Sequence, residues 1–176
     1  VGVDDSITIK NNILSNLIDI FKDGAVAYSS KMKENVQNGA WKFYEKIKKQ
    51  VDHTGLEITR SFGLHILTDK GRLPEKSGGA ETAIALSLIT SLHQNAAVKG
   101  PLIMDGPLQQ MDKEFTQNVV KNLPYMSDQV IILAFEKDID KVSVKSILQD
   151  RLSRQYSIDK INSFLDTAAI ISNTHF

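Results

Sequence analysis

Two apolar runs, Leu102-Ile103-Met104 and Val130-Ile131-Ile132-Leu133-Ala134, frame what this chain can fold into. Between them, Glu114 to Leu123 carries a helical pattern that Pro124 stops. Strands that are apolar at nearly every position read as parallel neighbours buried on both faces, and parallel strands need a crossover, here the intervening helix. The alternation therefore predicts a βαβ unit and an α/β class. Asp105 falls at the carboxyl end of the first strand, where open α/β sheets bind their ligands.

Upstream, Ser77-Gly78-Gly79-Ala80-Glu81 opens a helix. A serine and two glycines at a helix start form an anion site, because unbonded N–H groups and the positive end of the helix dipole meet there. Ala83, Ile84, Ala85, Leu86, Leu88, Ile89 and Leu92 then make the helix apolar almost all round, which predicts burial on most sides. A phosphate cradle, a helix, then a strand ending in a carboxylate is an order that nucleotide-hydrolysing folds use. Each piece alone has a plainer reading: Ser77 as a helix cap, and Asp105 before Gly106-Pro107 as a turn former. Before the cradle, Leu56 to Thr59 and Phe62 to Thr68 alternate as two short strands, followed by the turn signal Asp69-Lys70-Gly71-Arg72.

Near the amino end, Leu14, Ile18, Phe21, Ala25, Tyr28 and Met32 repeat in steps of four and three. That period fits either an amphipathic helix packed on its own domain or the returning end of a longer coiled coil. The pattern breaks around Gly39, and Trp41, Phe43, Tyr44, Ile47 and Val51 resume an apolar face among Lys42, Lys46, Lys48 and Lys49. Trp41 is the expected anchor of that segment. The lysines read as a solvated face, with direct nucleic-acid contact as a subordinate reading. His53, His65, His93 and His175 lack metal-ligand spacing. Glu136 to Lys160 suggests one further helix or a strand pair, and Tyr156 to Phe176 gives no clear pattern.

At 176 residues, 41% hydrophobic and 24% charged, the chain suits one domain or one lobe rather than a disordered segment. A balance of 21 basic and 21 acidic residues demands no polyanionic partner, and the absence of cysteine excludes disulfides, thiolate zinc sites and a cysteine nucleophile. No apolar stretch approaches a membrane span, so a cytoplasmic setting with no membrane partner is expected. None of the ten glycines opens a G-x-x-x-x-G-K-[ST] loop or a G-x-G-x-x-G turn. The cradle thus has no P-loop to serve within its own chain.

Ser77-Gly78-Gly79, a buried helix, Pro101 to Asp105, Leu108-Gln109-Gln110-Met111-Asp112 and the strand Val130 to Ala134 together resemble the C-terminal lobe of ABC-type ATPase heads. The elements match the signature motif, Walker B, D-loop and switch strand. Within that superfamily the chain is similar to the SMC/Rad50 class, and most to the DndD-type ATPases of DNA phosphorothioation, whose Asp-Thr-Pro-Leu-x-x-Leu-Asp the run Asp105 to Asp112 resembles. The implied fold is the C-terminal half of a P-loop NTPase head, a short parallel sheet flanked by helices. Residues 1–52 would be the returning end of a coiled coil and 53–176 the ATPase lobe.

The resemblance further implies a role for each residue. Ser77, Gly78 and Gly79, with Glu81 one place later than the family's glutamate, would contact the γ-phosphate of an ATP held by the P-loop of a second head. Asp112 would lie at the seam between heads, and Asp105 would serve catalysis by holding Mg²⁺. Gly106 stands where a catalytic carboxylate normally follows, leaving Glu136 as the substitute. Implied partners are the N-terminal Walker A lobe, a second head, DNA through the complex, and further DNA-modification or defence subunits. The isolated chain is not expected to hydrolyse ATP. The rival expectation is a non-catalytic interaction module on a degenerate ATPase fold.

Overall fold

The computed structural model describes residues 2–72, 77–160 and 169–173; residues 161–168 and 174–176, with His175, lie outside the described residues. Its first element, α1, is one unbroken helix of 46 residues, Gly2–Ile47. The break expected at Gly39 does not occur. Gly39 instead marks a close approach: a Cβ there would overlap the hydroxyl of Ser91 on α2 and come within 3.2 Å of its Cβ. The outer part of α1 stands away from the rest, with Ile7, Leu14, Ile18, Phe21 and Tyr28 all exposed. From Val36 onward the helix turns into a core element, and Ala40, Phe43, Tyr44 and Ile47 are buried. Trp41, the expected anchor, is only half-buried beside Tyr44, which is wholly buried together with Ile47.

Three antiparallel strands follow: β1 (His53–Ile58), β2 (Leu64–Thr68) and the short β3 (Gly71–Arg72). Leu56 faces Ile66 across the first pair, which puts two buried apolar side chains on one face. The side chain of Gln37 on α1 accepts a hydrogen bond from Ile58 N at 2.8 Å, so the helix holds the free margin of β1. Arg72 makes a bidentate pair with Glu57 at 2.7 and 2.9 Å, bracing β3 against β1 and keeping the carboxylate ionised below its usual range.

Helix α2 (Gly78–Asn95) packs along the base of α1 through small side chains. Ala83, Ser87, Thr90 and Ser91 are buried there. Buried hydroxyls are costly unless bonded. Ser87 and Thr90 donate to their own helix at Ala83 O and Leu86 O, both at 2.7 Å, while Ser91 donates across the seam to Val36 O at 2.8 Å. The helix is less enclosed than its apolar pattern predicts, since Ala85, Ile89 and Leu92 are exposed.

The βαβ unit forms as expected. β4 (Leu102–Asp105) and β5 (Val130–Leu133) pair in parallel, Leu102 against Val130 through Asp105 against Leu133, joined by α3 (Lys113–Asn122) and a 3₁₀ turn over Leu123–Tyr125. One face of this sheet, through Met104, packs into the core with Phe115, Val119 and Val120 of α3. The opposite face departs from the expected full burial: Ile103 is 62%, Ile131 40% and Leu133 45% exposed. The remaining elements are α4 (Lys141–Leu148) with a 3₁₀ turn at Gln149–Arg151, then the antiparallel pair β6 (Tyr156–Lys160) and β7 (Ala169–Asn173).

Candidate functional site

The start of α2 is built as an anion-facing cap. Ser77 is extended, its Oγ accepts from Ala80 N at 3.3 Å, and its carbonyl accepts from Glu81 N at 2.9 Å. The oxygen accepts from the helix, and the rotatable hydroxyl hydrogen is available to donate to an acceptor in front of the cap. The N–H groups of Gly78 and Gly79 belong to the first turn, which has no partner within the helix.

The segment after β4 closes on this cap from the side. A Cβ on Gly78 would lie 2.9 Å from Oε1 of Gln110, and one on Gly79 3.2 Å from the Gln110 carbonyl, so the two glycines let Gln110 approach. Leu108 is sunk in the core and Asp112 caps α3, anchoring the segment at both ends. One Asp112 oxygen accepts from Phe115 N at 2.9 Å and the other meets Lys49 Nζ at 3.1 Å. These contacts, the backbone bond first, hold the Asp112 carboxyl below its usual range.

The third wall comes from just past the end of α1. Lys49 pairs with Glu114 at 2.8 Å and Asp112 at 3.1 Å, which raises its own pKa, Glu114 being the larger cause. Together Ser77, Gly78, Gly79, Gln110, Asp112, Phe115, Lys49 and Gln50 line a pocket of about 480 Å³. Neither Lys49 nor Gln110 was singled out as a site residue by motif. The lysine cluster Lys42 to Lys49 was the only signal for the former, and its members point different ways. Lys46 sits 4.8 Å from the centre of the Tyr125 ring, and Lys48 sits 4.8 Å from that of Trp41 while donating to His53 O. They do not form a single basic stripe.

The other expected site residues stand apart. Glu81 lies in the first turn of α2 but does not line this pocket. Asp105 is exposed at the end of β4. Gly106 directly after it has φ +57, a left-handed conformation, and donates its N–H to Leu133 O at 2.8 Å. A side chain at 106 would overlap the Gln109 amide, whose Cδ lies 2.9 Å from the added Cβ. The left-handed backbone here favours glycine, so a side chain at 106 would be strained and would displace the Gln109 amide. Glu136 instead lines a second pocket of about 700 Å³ between α3 and residues 136–147, where Lys141 bonds it and keeps it ionised below the usual range. That makes it a weaker base than a free glutamate.

Among the described residues no group of three or more His, Cys, Asp or Glu side chains suits a metal ion. Asp105, the carboxylate to which the resemblance assigns Mg²⁺, would be a lone ligand from this chain. That fits a cation which usually keeps waters and binds one or two carboxylates plus phosphate oxygens. No described helix is long and apolar enough to cross a membrane.

No family model and no curated protein matches the sequence. Solved structures do. The Smc head domain of Pyrococcus furiosus, with an extended coiled coil and bound to the C-terminal domain of ScpA, superposes with a TM-score of 0.66 at 14% identity, over 97% of this chain and 42% of that one. The Smc head domain with a coiled coil and joint from Pyrococcus yayanosii gives 0.67 at 14% identity, over 98% and 32%. A structure from work on ATP-driven dimerization and DNA-stimulated activation of SMC ATPases gives 0.55 at 13% identity, over 85% and 88%. The chain thus spans about two fifths and one third of the first two. It has the fold of the C-terminal lobe of an SMC head.

Proposed function

We propose that this chain is the C-terminal lobe of an SMC/Rad50-like ATPase head, which caps ATP in trans and couples ATP-driven dimerisation of heads to a DNA transaction. The observation that carries the reading is the convergence of Ser77, Gly78, Gly79, Gln110, Asp112 and Lys49 on one pocket at a helix start. Its donors are a hydroxyl, first-turn N–H groups and an ammonium, a set suited to the terminal phosphate of a nucleotide bound elsewhere. Asp105 holds Mg²⁺, and residues 1–52 and 53–176 are coiled-coil end and ATPase lobe. The similarity of Asp105 to Asp112 to the DndD run points to DNA sulfur modification or a related repair or defence process, in a cytoplasmic assembly.

The open sheet supports the need for a second lobe. A two-stranded sheet with one apolar face uncovered is marginal by itself; a Walker A lobe that extends it beside β4 or β5 and packs a layer on its open face would cover Ile103, Ile131 and Leu133. Gly106 supports slow turnover rather than lost binding, because a glycine supplies no base after Asp105 and the Ser77 pocket is still lined. The interaction-module reading predicts no nucleotide dependence at all. ATP-dependent dimerisation of the full-length ATPase decides between them, measured by analytical ultracentrifugation with and without Ser77→Arg. Loss of dimers in the variant is expected. Equal dimerisation with and without ATP would leave the interaction module standing.

A further inference from the structure

The position of Lys49 adds a regulatory element to the pocket. Its backbone is fixed by neighbours: Lys48 N bonds Tyr44 O at 2.8 Å, Lys48 Nζ bonds the carbonyl of His53, and the Tyr44 hydroxyl bonds Nδ1 of the buried His53 at 2.7 Å. These contacts set the direction in which Lys49 leaves the end of α1. Its side chain, 30% exposed, lines the pocket with Ser77 to Gly79, and its ammonium reaches two carboxylates, Asp112 at 3.1 Å and Glu114 at 2.8 Å. One cation against two anions leaves this corner with a formal charge of −1. A phosphate arriving at Ser77 meets that negative charge unless the ammonium turns toward it.

We propose that Lys49 is a charge switch at the base of α1, bound to Asp112 and Glu114 when no phosphate is present and drawn onto the phosphate that a second head presents at Ser77 to Gly79. The inference rests on the trans-capping reading above and names its regulation. A doubly charged phosphate competes well against exposed carboxylates for an ammonium, because charge-assisted bonds strengthen with the acceptor's charge. The exchange is local and involves only side-chain rotation. It joins dimerisation to α1, since Lys49 follows the last turn of that helix. Glu114 acts as the resting restraint. It lies outside the pocket lining, and its removal leaves the ammonium one carboxylate, Asp112, in place of two without altering Ser77 or Asp112.

The two sides of the switch give opposite signs. In the full-length ATPase with ATP and Mg²⁺, Lys49→Met should weaken the head dimer about tenfold, the loss of one charge-assisted contact per site. Lys49→Arg should restore it to within about threefold. Glu114→Gln should tighten the dimer about threefold, by removing an exposed competitor. A merely structural ion pair predicts that Lys49→Met and Glu114→Gln shift dimerisation in the same direction, and that result would overturn the proposal. So would dimerisation unchanged by Lys49→Met where Ser77→Arg abolishes it. Dimerisation unaffected by Ser77→Arg would instead remove the trans-capping reading beneath it. If Lys49→Met fails to fold, the Glu114→Gln arm decides, with weaker or unchanged association overturning the switch.

Discussion

The outer and inner parts of α1 are continuous helix with similar apolar content, yet they live in opposite surroundings. Ile7 to Tyr28 present Ile, Leu and Phe side chains to solvent, whereas Val36, Ala40, Phe43, Tyr44 and Ile47 are buried where α1 meets α2, β1 and α3. Local pattern determines that both are helical. What each stretch contributes to stability depends on what lies across from it. The inner part finds Ser87, Ser91 and Leu56 within its own chain, while the outer stripe keeps the four-and-three spacing of a helix awaiting another helix. Two glycines mark the contrast: Gly39 is crowded by Ser91, and Gly24 has nothing within 4 Å of where a Cβ would stand.

Substitutions along α1 should sharpen this contrast, and chemical denaturation orders them. Ile47→Ala empties a fully buried position and should cost about 4 kcal/mol. Gly39→Val forces two β-branch methyls into Ser91 and should cost about 2 kcal/mol, with the Ser91 to Val36 bond lost. If Gly39→Val melts like wild type, the tight seam is wrong.

Tyr44→Phe should cost about 1 kcal/mol by stripping His53 of its hydrogen bond. It also tests a pH window. Burial first, and Asp52 second, push the Tyr44 hydroxyl up to about 12 from its ordinary 10.0. A raised folded value favours the protonated form, so this stabilisation is whole below pH 10 and drains between about 10 and about 12. The steep alkaline limb should flatten in Tyr44→Phe. On the acid side, burial lowers His53 from 6.5, so its neutral ring contributes fully above about that pH and less as pH falls through its folded value. His53→Asn should remove that slope.

The outer part should respond weakly and with the other sign. Gly24→Ala should gain about 0.5 to 1 kcal/mol from helix propensity alone. Phe21→Ser should leave the melting of the lobe within about 0.5 kcal/mol of wild type, while weakening any association of the coiled-coil stripe. A large loss of lobe stability from Phe21→Ser would mean that the outer helix folds back onto the lobe.

Sequence alone reached the βαβ unit, the helix opening at Ser77 and the placement of Asp105, because hydrophobic period and cap chemistry are local. It misread Gly39 as a break because the residue that explains it, Ser91, sits on another helix. Lys49 went unrecognised for the same reason: its carboxylates are 63 residues away in Asp112 and two further on in Glu114. The sheet shows the converse. Ile103, Ile131 and Leu133 predict two buried faces, and among the described residues only one is covered. Apolar period fixes where strands fall, while burial depends on what packs across from them, which no local pattern records.

The hydroxyl seam between α1 and α2 has a mechanical corollary. At about 1.5 Å per residue, α1 is a rod of about 70 Å, gripped over roughly its last dozen residues. Ser91 bonds the α1 backbone and Gly39 lets the two helices meet closely, so a change in the direction of α2 would carry the rod with it. A tilt of about 5° at that grip sweeps the far end through about 5 Å, roughly one helical pitch. The seam therefore makes the rod a pointer for α2: whatever changes the direction of that helix would be read, enlarged, at the far end of α1.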